Sequence, residues 1–271
     1  MSKPNPEQSN SGILSQGSVP AIIQSYASGK WEQVSGAVPH ETGLTIFLDG
    51  EELVTVMCTP IRLVQMVLGF LYLEDVIQGR DDVAVLRVCE EDSTAVVRLK
   101  TPGFKAPVRR TLSSGCGRPV TFAPATREVV SALVVTAQDI LSLMSQLNQR
   151  AQLYRFSGGV HASGLGKGEE LAVVAEDIGR HNTIDKVMGE CLLTGMPTGD
   201  GILLTTGRIS SEMLSKAARM EVPVVVSRSS PTSKALSMAH ELGITLIGYA
   251  RGNRMTVYSH PERVRELAQG H

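Results

Sequence analysis

No pair of cysteines in this sequence is spaced to hold a metal or to act as a redox couple. The four cysteines among its 271 residues, Cys58, Cys89, Cys116 and Cys191, are scattered, with no C-x-x-C and no histidine at ligand spacing. This argues against a structural zinc site or a disulfide framework. A dominant charge is missing too. The formal net charge of -1 supplies no bulk field for a nucleic-acid backbone or an anionic membrane, so any anion must be bound locally. Neither the polar N-terminus MSKPNPEQSNSGILSQGS nor any later segment offers a signal-peptide core or the ~18 uninterrupted apolar residues of a membrane span. Cytoplasmic residence, without nucleic-acid or membrane partners, is expected. The G-x-x-x-x-G-K-[ST] loop, the G-x-G-x-x-G fingerprint and any internal repeat are also absent.

With 42% hydrophobic residues, the chain can bury a substantial core as one large domain or two modest ones. Residues 1–18, rich in Ser, Asn, Gln, Pro and Gly, read as a disordered tail. An α+β part is expected over residues 19–135. In it, LTIFLDGEELVTVMCT folds around Asp49-Gly50 as a hairpin, Thr59-Pro60 caps and starts a mostly apolar helix from Ile61 to Glu74, and strands follow at 83–89 and 94–100. Residues 101–127, dense in Gly, Pro, Ser and Thr, read as loop or extended linker. Residues 136–271 are expected to form a layered α/β domain. Thr136 caps an amphipathic helix, and from about 171 strands alternate with helices, which implies a substantially parallel sheet.

The chemistry concentrates in loops. Cys116 stands in Ser113-Ser114-Gly115-Cys116-Gly117-Arg118-Pro119, between two glycines that leave its sulfur accessible, with Lys105, Arg109, Arg110 and Arg118 nearby in sequence. Positive charge favours the thiolate, the nucleophilic form of a group whose ordinary pKa is about 8.5. Cys58, Cys89 and Cys191, set in apolar strands or a helix, read instead as small buried hydrophobes. The segment Ala175 to Lys186 crowds Glu176, Asp177, Arg180, His181, Asn182 and Asp185 into a strand end and helix start. It suits an anion held by first-turn N–H groups and Arg180, or equally simple helix capping. His161 reads as structural or catalytic. Strand-end loops with Arg208, Arg228, Arg251 and Arg254 among Ser, Thr, Gly and Asn repeat one theme, which points to a phosphate-bearing ligand.

Six stretches then carry a resemblance: GFLYLEDVI (69–77), SSGCG (113–117), SGGVHASGL (157–165), AEDIGRHNTIDKVMG (175–189), LLTTGRISSEM (203–213) and the long run from 222 to 263. In that order they resemble the FdhD family, the formate dehydrogenase accessory sulfurtransferases, over nearly everything after the N-terminal tail. The resemblance implies a cytidine-deaminase-like α/β/α domain beside a smaller α+β part, and a homodimer. It implies a sulfur carrier that takes persulfide sulfur from a cysteine desulfurase and passes it to the molybdenum cofactor before insertion into formate dehydrogenase. Cys116 matches the persulfide-bearing cysteine. Tyr249, Ala250, Arg251, Gly252, Asn253 and Arg254 match the stretch that contacts the bis-molybdopterin guanine dinucleotide form of the cofactor. One departure stands out: Gly117, Arg118 and Pro119 follow Cys116, so the second cysteine of the family's C-x-x-C is missing and any relay must use one thiol. Two rivals compete. A zinc deaminase would need H-x-E together with P-C-x-x-C, and the sequence has no P-C-x-x-C; His161 is followed by Ala162 and Ser163. A chaperone that binds the cofactor without transferring sulfur differs only at the thiol.

Overall fold

The computed structural model describes residues 14–104, 111–112, 120–121 and 127–268, without the side chains of 111–112 and 120–121. The expected tail is shorter at its described end. Residues 14–17 form a helical turn because Leu14 has a place to pack, against Leu153 and Val160. The chain then runs out and back as an unanticipated hairpin of β1 (Ser18–Ala27) and β2 (Lys30–Pro39). Ser28 and Gly29, at φ 52° and 84°, make its tight turn.

β3 (Thr42–Leu48) and β4 (Glu51–Cys58) form the expected hairpin, with Asp49 and Gly50 at φ 51° and 94°. Helix α1 (Leu63–Leu73), β5 (Val83–Cys89) and β6 (Thr94–Leu99) complete a four-stranded sheet in the order β4-β3-β6-β5. Leu44, Ile46, Val54, Ala95 and Val97 of the sheet close on Met66, Val67, Phe70 and Leu71 of α1. Two readings need correction. Thr59 does not cap the helix, which begins two residues later than expected behind Arg62 at φ 52° with no side-chain cap. Cys89 is exposed: it ends the edge strand β5 on the outward side of the alternation, where burial has no partner layer.

Beyond the short pair β7 (Thr111–Leu112) and β8 (Val120–Thr121), helix α2 (Ala137–Arg150) starts at Thr136 as expected. Thr136 Oγ1 accepts from Asp139 N at 3.1 Å, and the Asp139 carboxylate accepts from Thr136 N at 3.1 Å. A short helix α3 (Gln152–Ser157), β9 (His161–Lys167), β10 (Glu170–Asp177), α4 (Arg180–Thr194), β11 (Ile202–Thr205), α5 (Ser211–Arg219), β12 (Val224–Ser227), α6 (Ser233–Glu241), β13 (Thr245–Arg251) and β14 (Arg254–Ser259) follow. Their strands form one six-stranded sheet in the order β10-β9-β11-β12-β13-β14. Only the β11-β12 and β12-β13 pairings are parallel, so the sheet is mixed rather than substantially parallel.

The period of two sorts that sheet's faces. Ile202, Leu204, Val224 and Val226 point to α2, with Leu143, Met144 and Leu147. Leu203 and Val225 point the other way, to Val187 of α4, Leu214 of α5 and Ala235 of α6. Helices therefore cover both faces. Strand β9 escaped the sequence reading because it lies under α2 with glycines in place of apolar side chains: a Cβ on Gly166 would come within 2.8 Å of Leu143. The larger unit also begins before residue 136, since Val129 and Val135 already pack into its two cores.

The two units meet where α1 crosses α4. A Cβ on Gly69 would stand 1.8 Å from the Asp185 carbonyl oxygen, and one on Gly189 would stand 1.8 Å from that of Gln65. Each helix thus offers the other a backbone-to-backbone contact that any side chain would prevent. No helix among the described residues is long and apolar enough to cross a membrane.

Candidate functional site

Strands β10, β11, β12 and β13 run in the same direction, so the loops that follow them, each holding an arginine, emerge along one carboxyl edge of the sheet. Most of the Ser and Thr residues in those loops are occupied by the backbone. Ser210 accepts from Met213 N at 3.4 Å and Thr232 from Ala235 N at 3.2 Å as helix caps, and Ser227 Oγ donates to Gly207 O at 2.6 Å. Charge on this edge falls to Arg180, Arg208, Arg228, Arg251 and Arg254.

The Ala175–Lys186 segment resolves largely into scaffold. Asp177 Oδ1 accepts from Gly179 N and Asn182 Nδ2, both at 2.8 Å, and Oδ2 accepts from Thr59 N at 3.1 Å and Lys186 Nζ at 2.5 Å. Lys186 spends its other protons on Thr59 O at 3.0 Å and Glu176 O at 3.2 Å. Glu176 caps α3, accepting from Leu153 N at 3.2 Å and Tyr154 N at 2.6 Å; burial raises its pKa against those bonds. His181 faces Glu212 at 3.1 Å, with burial pulling its pKa down more than that partner raises it. Asp185 bonds Lys216, which also faces Glu74 at 3.7 Å; burial opposes the charge on Lys216, yet the two carboxylates raise its pKa.

Arg180 of this segment meets His161, the first residue of β9, at the turn after β11. His161, opposite Asp177 in the β9-β10 register, and Arg180 flank Gly207, where a Cβ would lie 3.3 Å from His161 Nδ1 and 3.0 Å from Arg180 Cβ. Burial first, then the charge of Arg180, lowers the His161 pKa against the opposing carboxylate of Asp177, and Arg208 adds to the lowering.

A cleft of about 500 Å³ lies along the same edge, between the tip of β13-β14 and the polar face of α2. Arg228, Ala250, Arg251, Gly252 and Asn253 form one side, and Gln138, Ser142, Ser145 and Asn148 belong to the other. Arg228 is oriented by Asn148 Oδ1 at 3.0 Å and Tyr154 Oη at 3.4 Å. Gly252 takes φ 57° at the hairpin tip, a conformation natural to glycine. Volume and lining suit a ligand of nucleotide size carrying anionic groups. Of the six residues expected to contact a nucleotide-bearing ligand, Ala250 to Asn253 line this cleft. Tyr249 and Arg254 do not, since the turn points them elsewhere; Tyr249 is half-exposed at φ 53°. The polar side chains of α2 were missed in the sequence. They were visible as the hydrophilic stripe of an amphipathic helix, but only tertiary structure sets that stripe against the loops.

Cys116, with Lys105, Arg109, Arg110 and Arg118, lies outside the described residues. Its segment is bracketed by β7 and β8, whose Leu112 and Val120 pair directly. Among the other cysteines, burial pushes the Cys58 thiol up to about 12 and that of Cys191 up to about 11, so neither is a nucleophile at neutral pH.

The described residues thus make a mixed α/β protein with helices on both faces of its larger sheet and an arginine-lined cleft at that sheet's carboxyl edge. Residues 39–265 match the model of the FdhD/NarQ family, and the chain belongs to that family. It is 37% identical over 253 residues to the sulfur carrier protein FdhD of Bacillus pumilus, covering 90% of this chain and 97% of that one. The protein of the same name from Bacillus subtilis is 37% identical over 249 residues, covering 89% and 95%. A crystal structure described as a candidate formate dehydrogenase accessory protein, from Desulfotalea psychrophila, superposes with a TM-score of 0.74 at 28% identity, covering 91% of this chain and 99% of that one.

Proposed function

We propose that this protein is a cytoplasmic sulfur carrier in the maturation of formate dehydrogenase, working as a homodimer with a cytidine-deaminase-like larger domain. Cys116 takes sulfur from a cysteine desulfurase and delivers it to the molybdenum cofactor in its bis-molybdopterin guanine dinucleotide form. In the loading step the Cys116 thiolate attacks the outer sulfur of the donor's persulfide. A new S–S bond forms at Cys116, the donor's S–S bond breaks, and the donor cysteine leaves as thiolate. This exchange needs no second cysteine. The cofactor is the cargo: Arg228, Arg251 and the backbone of Gly252 and Asn253 would hold its guanine-nucleotide arm and pyrophosphate, and Tyr249 and Arg254, outside the lining, would contribute less.

The cleft carries this reading. Four consecutive residues of the implied cofactor stretch, Ala250 to Asn253, line a cavity of nucleotide size together with a second oriented arginine. Relatives named as sulfur carriers match almost the whole chain. To test it, the protein is incubated with a cysteine desulfurase and cysteine, and added sulfur is mapped by mass spectrometry. Sulfur on Cys116, lost in Cys116→Ala together with dehydrogenase maturation, is expected. Sulfur found only on other residues, or full maturation with Cys116→Ala, would overturn transfer and leave a chaperone that binds the cofactor.

A further inference from the structure

Among the described residues, β2 meets the body at helix α3, while the outer part of the β1-β2 hairpin is exposed on both faces. Cross-strand pairing places Val19, Ala21, Ile23, Val34, Gly36 and Val38 on one side, and Pro20, Ile22, Tyr26, Trp31 and Ala37 on the other. Ile22 is 74% exposed, Trp31 68% and Tyr26 60%, while Val19, Ile23, Val34 and Val38 are each more than a third exposed. Residues 18–39 contain only two charges, Lys30 and Glu32. Among the described residues no third strand joins this sheet. An isolated two-stranded ribbon is marginal in water, yet this one holds ten paired residues per strand and a Tyr26–Trp31 contact at 5.1 Å between ring centroids. His40 N donates to Gly17 O at 2.9 Å and closes the ribbon at its base, and Pro39 there seats against Gly159 of the body.

From these features we infer that the hairpin is a dimerisation arm that packs on a second copy of this chain. The inference rests on the homodimer reading above and assigns its surface. Three observations favour a second copy over a passing partner. Seven large apolar side chains, Val19, Ile22, Ile23, Tyr26, Trp31, Val34 and Val38, stand exposed on one short ribbon, a continuous apolar surface of the kind a stable interface covers. The near absence of charge is the mark of a surface kept covered permanently, whereas a partner that comes and goes would leave it in water between encounters. Both faces carry apolar side chains, interleaved with Gln24, Gln33 and Ser35 on one and Ser25, Lys30 and Glu32 on the other, which suits an arm held between a partner's arm and a partner's body, as two-fold exchange provides. Face packing is favoured over edge pairing because Pro20 removes a donor from β1.

Trp31 is the chain's one tryptophan, so the arm reports on itself. The full-length protein is examined by sedimentation and by acrylamide quenching of Trp31 over a dilution series, beside Ile22→Glu, Ile23→Glu and, as control, Val130→Glu, which alters an exposed valine away from the arm. The expected result is a dimer whose Trp31 is shielded at high concentration and becomes quenchable on dilution. Each arm variant should weaken association about a hundredfold or more, with circular dichroism and melting of the body retained, and Val130→Glu should dimerise normally. A dimer that survives both arm substitutions would overturn the assignment while keeping the homodimer. A wild-type monomer with freely quenched Trp31 would overturn both. Persulfide loading at Cys116, measured on the same samples, judges the sulfur-carrier reading separately.

Discussion

Lys186 Nζ lies 2.5 Å from Asp177 Oδ2 with neither side chain exposed, and its remaining protons reach two backbone carbonyls. One of these, Thr59 O, belongs to the smaller unit, and the carboxylate also receives Thr59 N. The pair therefore clamps three segments: the end of β10, the helix α4 and the turn after β4. Removing either charge strands the other away from water.

Lys186→Met should accordingly cost about 3–5 kcal/mol, the range for breaking a buried ion pair, as should Asp177→Asn once it weakens the bonds to Thr59 and Gly179. Urea unfolding of each variant checks this. A loss below about 1 kcal/mol, the value typical of exposed pairs, would contradict the clamp.

Substitution at the α1-α4 crossing should be equally revealing. Gly69→Ala or Gly189→Ala puts a methyl group 1.8 Å from a carbonyl oxygen, so the helices must separate and the two units with them. Overpacking of this kind costs about 1–3 kcal/mol or more. Gly79→Ala, with nothing within 4 Å of its new methyl, should be nearly neutral. Thermal melts of the three variants distinguish a tight crossing from a loose one.

Thiol chemistry separates the cysteines. With thiols raised to about 12 and about 11, Cys58 and Cys191 hold negligible thiolate at pH 7.5. Brief alkylation of the native protein should spare both and modify Cys89, which is exposed and donates to Asp92 Oδ2 at 3.2 Å; Cys116 should react fastest if it is the carrier. Peptide mapping reads all four sites, and full labelling requires denaturant. Early labelling of Cys58 would contradict its burial.

What could be read from the chain beforehand divides by range of interaction. Turns and caps set by adjacent residues, such as Asp49-Gly50 and the Thr136–Asp139 box, were legible because their physics is local. Thr59 looked like a cap for the same reason, but its hydroxyl accepts instead from Ile178 N, 119 residues away. Strand β9 was hidden because its glycines answer to the overlying helix rather than to a period of two. Within the candidate site, the repeated arginines and the 250–253 turn were visible in sequence. The polar stripe of α2 that closes the cleft was not, since nothing in the chain says which loops a helix face will meet.

The cleft itself makes the last prediction. Arg251 lines it from the hairpin tip, and Arg228 is held toward it by Asn148 and Tyr154. Hydrogen bonds to charged groups contribute about 1.5–3 kcal/mol each, so Arg251→Ala or Arg228→Ala should each weaken binding of a guanine nucleotide about tenfold to a hundredfold, measured by calorimetry. Arg254→Ala, outside the lining, should have the smaller effect. Asn148→Leu tests the orientation of Arg228: it leaves the charge in place but removes the bond, so affinity should fall less than in Arg228→Ala. Because these contacts are electrostatic, the wild-type affinity should decline with added salt and the Arg251→Ala affinity should decline less steeply. Equal affinities across all four variants would place the nucleotide elsewhere on the molecule.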